Sequence, residues 1–191
     1  MTYSRTIRIL HALVALTITF QLLVSLVMDH PHHTGRPMSQ TGAWWFEWHE
    51  WVGLAAIAVL LASWIYRLVN FRREGQGRLF PWLNTKGRSQ LLVELRMVLT
   101  LKWTTLPETG ALAGTIHGLG LLIATAMAVT GGVLYIKLWP ANIVTANTAN
   151  LMDIHSTLAT VMWVYLYGHS IMAVWHQFIG HASIAKMFKL N

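Results

Sequence analysis

Ten histidines and no cysteine set the chemistry open to this chain of 191 residues. Disulfides and iron–sulfur clusters are excluded, and imidazole is left as the side chain able to hold a metal or relay a proton. Two of the histidines, His155 and His169, stand 14 residues apart within one apolar run. On an α-helix that spacing gives about 21 Å of rise, at about 1.5 Å per residue, and about 40° of residual rotation. One helix face would thus offer two imidazoles near opposite sides of a ~30 Å hydrocarbon layer. About half of the ten histidines fall inside runs of this kind. Ionisable groups at such depth are costly and mark a cofactor or a pathway.

The elements that must position them are membrane helices. Hydrophobic residues make up 54% and charged residues 11% of the chain, where a soluble domain carries roughly 25% charged. So few charges cannot cover the surface of a small soluble protein. Trp44, Trp45, Trp48, Trp51, Trp103 and Trp139 cluster at the ends of the apolar runs, the level at which indole rings settle between lipid and water. Four segments are long and apolar enough to cross: about Ile9–Met28, Trp48–Ile65, Ala111–Leu138 and Leu151–Ile179. The expectation is an all-α, four-helix transmembrane bundle forming a single domain over residues 1–191. A cleavable signal peptide is not expected, because the first apolar run is too long and no small-residue cleavage site precedes Asp29-His30-Pro31.

The net charge of +7 does not point to nucleic acid, since the basic residues lie between and beyond the apolar runs. Twelve of the fourteen fall on one side: Arg5 and Arg8 before the first span, Lys186 and Lys189 after the fourth, and eight between spans two and three. Arg36 and Lys137 fall on the other. The positive-inside rule then puts both termini and the loop from Leu68 to Gly110 in the cytoplasm. Gly75, Gly77, Pro81 and Gly87 exclude a continuous helix across that loop. Residues Ser89 to Trp103 alternate apolar and basic positions at helical spacing, which suggests an amphipathic helix on the inner membrane surface. A partner-docking helix is the alternative.

Depth supplies partners for the two imidazoles. His49 and His155 both stand just inside the outer ends of their spans. His11 lies three residues past Arg8, and His169 lies about one turn inside the inner boundary. The pairs are therefore His49 with His155 and His11 with His169. Four imidazoles at two levels suit two bis-histidine haems, because haem iron accepts two axial nitrogens. Ala15, Gly53, Ala159 and Ala173, each four residues beyond a ligand, leave room for a flat macrocycle, although small residues are common wherever membrane helices pack. A zinc or copper cluster needs converging ligands, whereas these levels lie ~20 Å apart. A proton relay lacks carboxylates, since Asp153 and Glu50 stand near the outer edge.

The other histidines carry two readings each. His117, early in span three, suits a propionate or quinone contact as well as a packed core position. His176 continues the face of His155 and His169 toward the inner headgroups, where a propionate, quinone or proton role competes with simple packing. His30, His32 and His33 read as a solvated outer loop before they read as a metal site, and His181 as solvent-facing. Met162 lies midway on the ligand face and could lie between the haems, although packing is the simpler role. Arg8, with Arg5 and Arg67, could pair with haem propionates, although fixing topology accounts for all three.

The run DIHSTLATVMWVYLYGHSIMAVWHQF resembles the fourth span of the bacterial cytochrome b561 family, which includes haem b subunits of respiratory hydrogenases and formate dehydrogenases. The resemblance extends to RTIRILHALVAL, WFEWHEWVGLAAI and IHGLGLLIATAMAVTGGVLY, so that all four spans are covered. It implies two b haems, one near each membrane face, on His49/His155 and His11/His169, with His176 as the further histidine of span four. It also implies electron transfer to or from the quinone pool, ubiquinone or menaquinone, in the bacterial inner membrane. Some stand-alone members resemble superoxide oxidases, which take electrons from superoxide outside and pass them to ubiquinone. Others anchor a periplasmic dehydrogenase or accept electrons from a periplasmic redox protein. The long basic loop from Leu68 to Gly110 departs from the short stand-alone type. Outside this class, a cofactor-free membrane sensor or transporter with packed histidines is the competing expectation.

Overall fold

In a computed structural model, residues 4–31, 37–70, 79–102, 105–107, 110–139 and 143–178 are described. All regular structure among them is helical: α1 (Arg5–Val24), α2 (Gln40–Val69), α3 (Thr85–Leu99), α4 (Ala111–Leu138) and α5 (Ala146–Phe178), with a 3-10 turn at Pro81–Leu83. The four long helices, α1, α2, α4 and α5, are each long and apolar enough to cross a membrane. Helix is the form such segments must take, because lipid offers no partner for backbone N–H and C=O groups. Large apolar side chains accordingly point outward along these helices, among them Leu16, Ile136, Val164 and Ile171.

The bounds of α1, α2 and α5 differ from the apolar runs for a local reason. Each of these three starts at a side-chain cap rather than where hydropathy rises. Ser4 Oγ accepts from the Ile7 N–H at 3.3 Å, so α1 begins four residues ahead of Ile9. Ser39 Oγ accepts from the Gly42 N–H at 3.1 Å and starts α2 eight residues before Trp48. Thr145 and Thr148 cap one another reciprocally ahead of α5. The 30 residues of α2 reach about 45 Å, the thickness of a bilayer with its headgroups. The tryptophan-rich start of α2 therefore belongs to the helix and not to a loop.

The chain packs as two compact units, each drawn from separated stretches. The first comprises Met1–Arg8, Trp64–Leu122 and Tyr165–Asn191. Here Ser4 Oγ hydrogen-bonds the Tyr66 hydroxyl at 3.0 Å, and Trp64 stacks on Phe80 with ring centres 6.2 Å apart. The Leu79 carbonyl lies where a side chain on Gly118 would be, so this position of α4 has to be glycine. The expected amphipathic helix is α3, shifted toward the N-terminus relative to Ser89–Trp103. Asn84 caps it by accepting from the Gly87 N–H at 2.7 Å. It ends where Leu101 takes a left-handed φ of 58°, with the Lys102 N–H on the Met97 carbonyl at 2.9 Å. Trp103 lies outside the described residues.

Gly110, ahead of α4, has no side chain with which to cap. Glu94 of α3 takes over, its carboxylate accepting from the Ala111 N–H at 3.0 Å and the Leu112 N–H at 2.7 Å. A side chain on Gly110 would collide with that carboxylate. Glu94 is itself buried, and an acidic group at a helix N-terminus is held by both the orphan N–H groups and the helix dipole.

The second unit comprises Ile9–Ser63 and Ile123–Val164. Its core holds Leu22, Leu60, Ala124 and Met162, the last only 2% exposed, which is the packing role expected of Met162. Beyond α1, Asp29 Oδ2 accepts from both the N–H and the hydroxyl of Ser39 at 2.7 Å. The Asp29 carboxyl also fills the space a side chain on Gly42 would need. The start of α2 is thereby tied to the end of α1.

Replacing Glu94 with Ala strands two N–H groups at the start of α4, and the expected loss is about 2 kcal/mol. The thermal unfolding midpoint of the detergent-solubilised protein should fall clearly for Glu94→Ala and hardly at all for Arg96→Ala.

Candidate functional site

In the second unit, α2 and α5 present His49 and His155 to each other. Their ring centres are 6.3 Å apart and their planes 89° apart. Two imidazoles on opposite sides of one metal, with metal–nitrogen bonds of about 2 Å and each ring centre about 1 Å beyond its nitrogen, stand about 6 Å centre to centre. The observed separation fits that arrangement.

The tautomer of His155 follows from its neighbour. Thr130 Oγ1 lies 2.8 Å from His155 Nδ1 and donates its own proton to the Ala126 carbonyl at 2.9 Å. With its proton given to that carbonyl, the hydroxyl accepts from the ring, the arrangement in which Nδ1 carries hydrogen and Nε2 keeps a lone pair. Gly131 lets the ring approach α4, since a Cβ there would come within 3.1 Å of His155 Cε1. On the other side, buried His49 Nδ1 has no hydrogen-bond partner among the described residues. A buried polar nitrogen without a partner is costly, and a metal would satisfy it. Gln21 Nε2 donates to the His49 carbonyl at 2.7 Å, and the space above Gly53 is taken by that amide. The small residue one turn beyond His49 thus serves Gln21, where the sequence suggested room for a macrocycle.

In the first unit, α4 and α5 bring together His117 and His169, with ring centres 5.1 Å apart and planes 82° apart. His117 Nδ1 donates to the Ala113 carbonyl at 2.7 Å, which leaves Nε2 unprotonated. Tyr165 stacks on His169 at 5.5 Å with planes 10° apart, and its hydroxyl end occupies the space above Gly120. The separation of 5.1 Å falls about 1 Å short of that for two imidazoles across one metal. His117 therefore fits as a neighbour of His169 better than as its opposite ligand.

His11 and Arg8 lie half-buried on α1, and His176 lies half-buried near the end of α5. His30 is exposed. The expectations for His32, His33 and His181, and for Arg36, Lys186 and Lys189, fall outside the described residues. Gln21, Thr130, Gly131 and Tyr165 are the functional positions that sequence reasoning missed. The segment AVTGGVLY held a signal for two of them, because a hydroxyl beside paired glycines marks a close approach in a membrane helix.

Long apolar helices with facing imidazoles on α2 and α5 define an all-helical membrane protein whose site fits a haem. The model of the prokaryotic cytochrome b561 family matches residues 2–189. The chain belongs to the prokaryotic cytochrome b561 family, whose members carry electrons across a membrane through b-type haem. Comparisons with curated proteins and with solved structures gave no match. Membership leaves no ground for a cofactor-free sensor or transporter.

Were the His155 imidazole to bind haem iron, its hydrogen bond to Thr130 would add electron density to the ring and favour the ferric state. Thr130→Val should therefore raise the midpoint potential of one haem by some tens of millivolts. Potentiometric titration followed in the visible bands would register the shift.

Proposed function

We propose that the protein holds two b haems, one between His49 and His155 and the other between His11 and His169. In this reading it moves electrons between a donor on the outer side of the bacterial inner membrane and the quinone pool. The observation that carries it is the facing of His49 and His155 at 6.3 Å, with the protonation of His155 fixed by Thr130. The second pair is supported by register. His169 lies 14 residues along the same helix, α5, and His11 lies near the start of α1. Two axial imidazoles leave iron no open position for oxygen, so the haems serve electron transfer.

The chain's own residues have separable tasks in this account. Thr130 and Tyr165 hold the imidazoles of α5 in plane, and Gln21 ties α1 to the backbone of the His49 turn. Arg8 and Arg67 are suited to propionate charge. His117 and His176 are suited to a propionate or a quinone near the inner face. With twelve basic residues in the segments assigned inside, both termini are cytoplasmic.

The finer activity is superoxide:quinone oxidoreduction if the chain acts alone. The long segment between α2 and α4 favours a second reading, in which the chain is the haem b anchor of a larger periplasmic dehydrogenase or hydrogenase. Reduction of the isolated protein by superoxide, coupled to quinone reduction, supports the first. Stable co-purification with a periplasmic redox protein supports the second.

Single variants test the pairing. His155→Ala should lose one haem per chain and His169→Ala the other, each leaving the remaining haem's bands and potential in place. Haem quantitation with redox titration would show it, and loss of the same spectral component from both variants would sink the two-level assignment.

A further inference from the structure

The helix α3 is not absorbed by the electron-transfer account. Two close contacts, both on one face, tie it to its neighbours. Gly87 packs so closely on Pro81 that a side chain there would run into the Pro81 carbonyl. Glu94, seven residues on, caps the first N–H groups of α4. The second contact fixes depth, because the start of α4 is the mouth of a membrane span. With α4 crossing a bilayer from its first turn, the middle of α3 would lie at the level where lipid headgroups begin.

What α3 turns away from these contacts is both apolar and cationic. Leu92, Leu95 and Leu99 fall within about 60° of one another around the helix, and they are 67%, 40% and 82% exposed. Arg88 and Arg96, both exposed, stand one turn before and one turn after Leu92 on the same ridge. Leu101, 78% exposed, continues the apolar surface past the helix end. It does so from a left-handed φ of 58°, where glycine would cost less. From Thr85 to Lys102 the only acidic residue is Glu94, and it is turned inward to cap α4. Arg88 and Arg96 on that side meet no carboxylate among the described residues, and Lys86 and Lys102 are exposed as well.

We propose that α3 is an interfacial helix that seats Leu92, Leu95 and Leu99 in the bilayer and binds anionic phospholipid headgroups through Arg88 and Arg96. Arginines that flank leucines can reach up to the phosphate level while their stems stay in the apolar layer. A basic side chain near an anionic leaflet gains roughly fivefold in lipid preference. The inference stands on α2 and α4 crossing the membrane and is independent of how the haems are assigned.

The chain has no cysteine, so one introduced as Leu95→Cys reports alone. The purified, haem-loaded protein carrying a bimane label at this position would be placed in phosphatidylcholine vesicles containing phosphatidylglycerol. In separate samples, one or the other lipid carries brominated chains. The expected result is blue-shifted emission, quenched several-fold more by brominated phosphatidylglycerol than by brominated phosphatidylcholine at equal fraction. Arg88→Gln with Arg96→Gln should abolish that preference, and high salt should weaken it, with the visible haem spectrum unchanged. Equal quenching by the two lipids would overturn the headgroup part of the proposal. Water-like emission with no quenching would overturn all of it. So would shielding seen in native membranes and lost on purification, which would assign the face to a protein partner.

Discussion

A polar atom carried into the hydrocarbon layer of a membrane must find a partner within the protein, and each histidine carries two ring nitrogens that make this demand. Much of the site follows from meeting it. His155 gives its Nδ1 proton to Thr130 and His117 gives its own to the Ala113 carbonyl, so in each ring a lone pair remains on Nε2. His49 keeps a buried Nδ1 with no hydrogen-bond partner among the described residues. For His155, the tautomer with its proton on Nδ1 leaves Nε2 able to bind a metal. The rings of His49 and His155, 6.3 Å apart, stand at the separation that two imidazoles across one metal would have.

The same accounting governs the helix starts. Every span leaves unpaired N–H groups at its first turn, and Ser4, Ser39 and Thr145 supply local acceptors for three of them. The fourth start, at Gly110, has none of its own and draws Glu94 from α3. A helix outside the membrane is thereby fastened to one inside it through a carboxylate and two backbone groups. That link fixes α3 against the first turn of α4.

The spans were legible in the sequence because hydropathy is a property of single segments. The run Ala111–Leu138 coincides with α4 residue for residue, and His49 and His155, paired by depth in the sequence, face each other at 6.3 Å. The helix starts were displaced because capping depends on one hydroxyl, which a window of hydropathy averages away. Thr130, Gln21, Glu94 and Tyr165 were invisible for a different reason. Each acts on a residue at least 17 positions away, except Tyr165, whose stacking on His169 resembles ordinary i,i+4 packing. Gly53 shows the limit most plainly, since a small residue beside a ligand suggested a macrocycle, and the space belongs to a glutamine amide.

The central claim is that one iron lies between His49 and His155 and that a second haem shares the chain. Perpendicular imidazole planes leave the two iron orbitals that receive π density nearly equal in energy, so a ferric haem between rings 89° apart gives a strongly anisotropic low-spin resonance. Low-temperature electron paramagnetic resonance of the oxidised protein, with haem and polypeptide counted in the same sample, tests this most directly. The account predicts two haems per chain, both low-spin, at least one of them strongly anisotropic and lost in His49→Ala. A single haem per chain, a high-spin signal from an open axial position, or only the rhombic spectra of parallel imidazoles would contradict it.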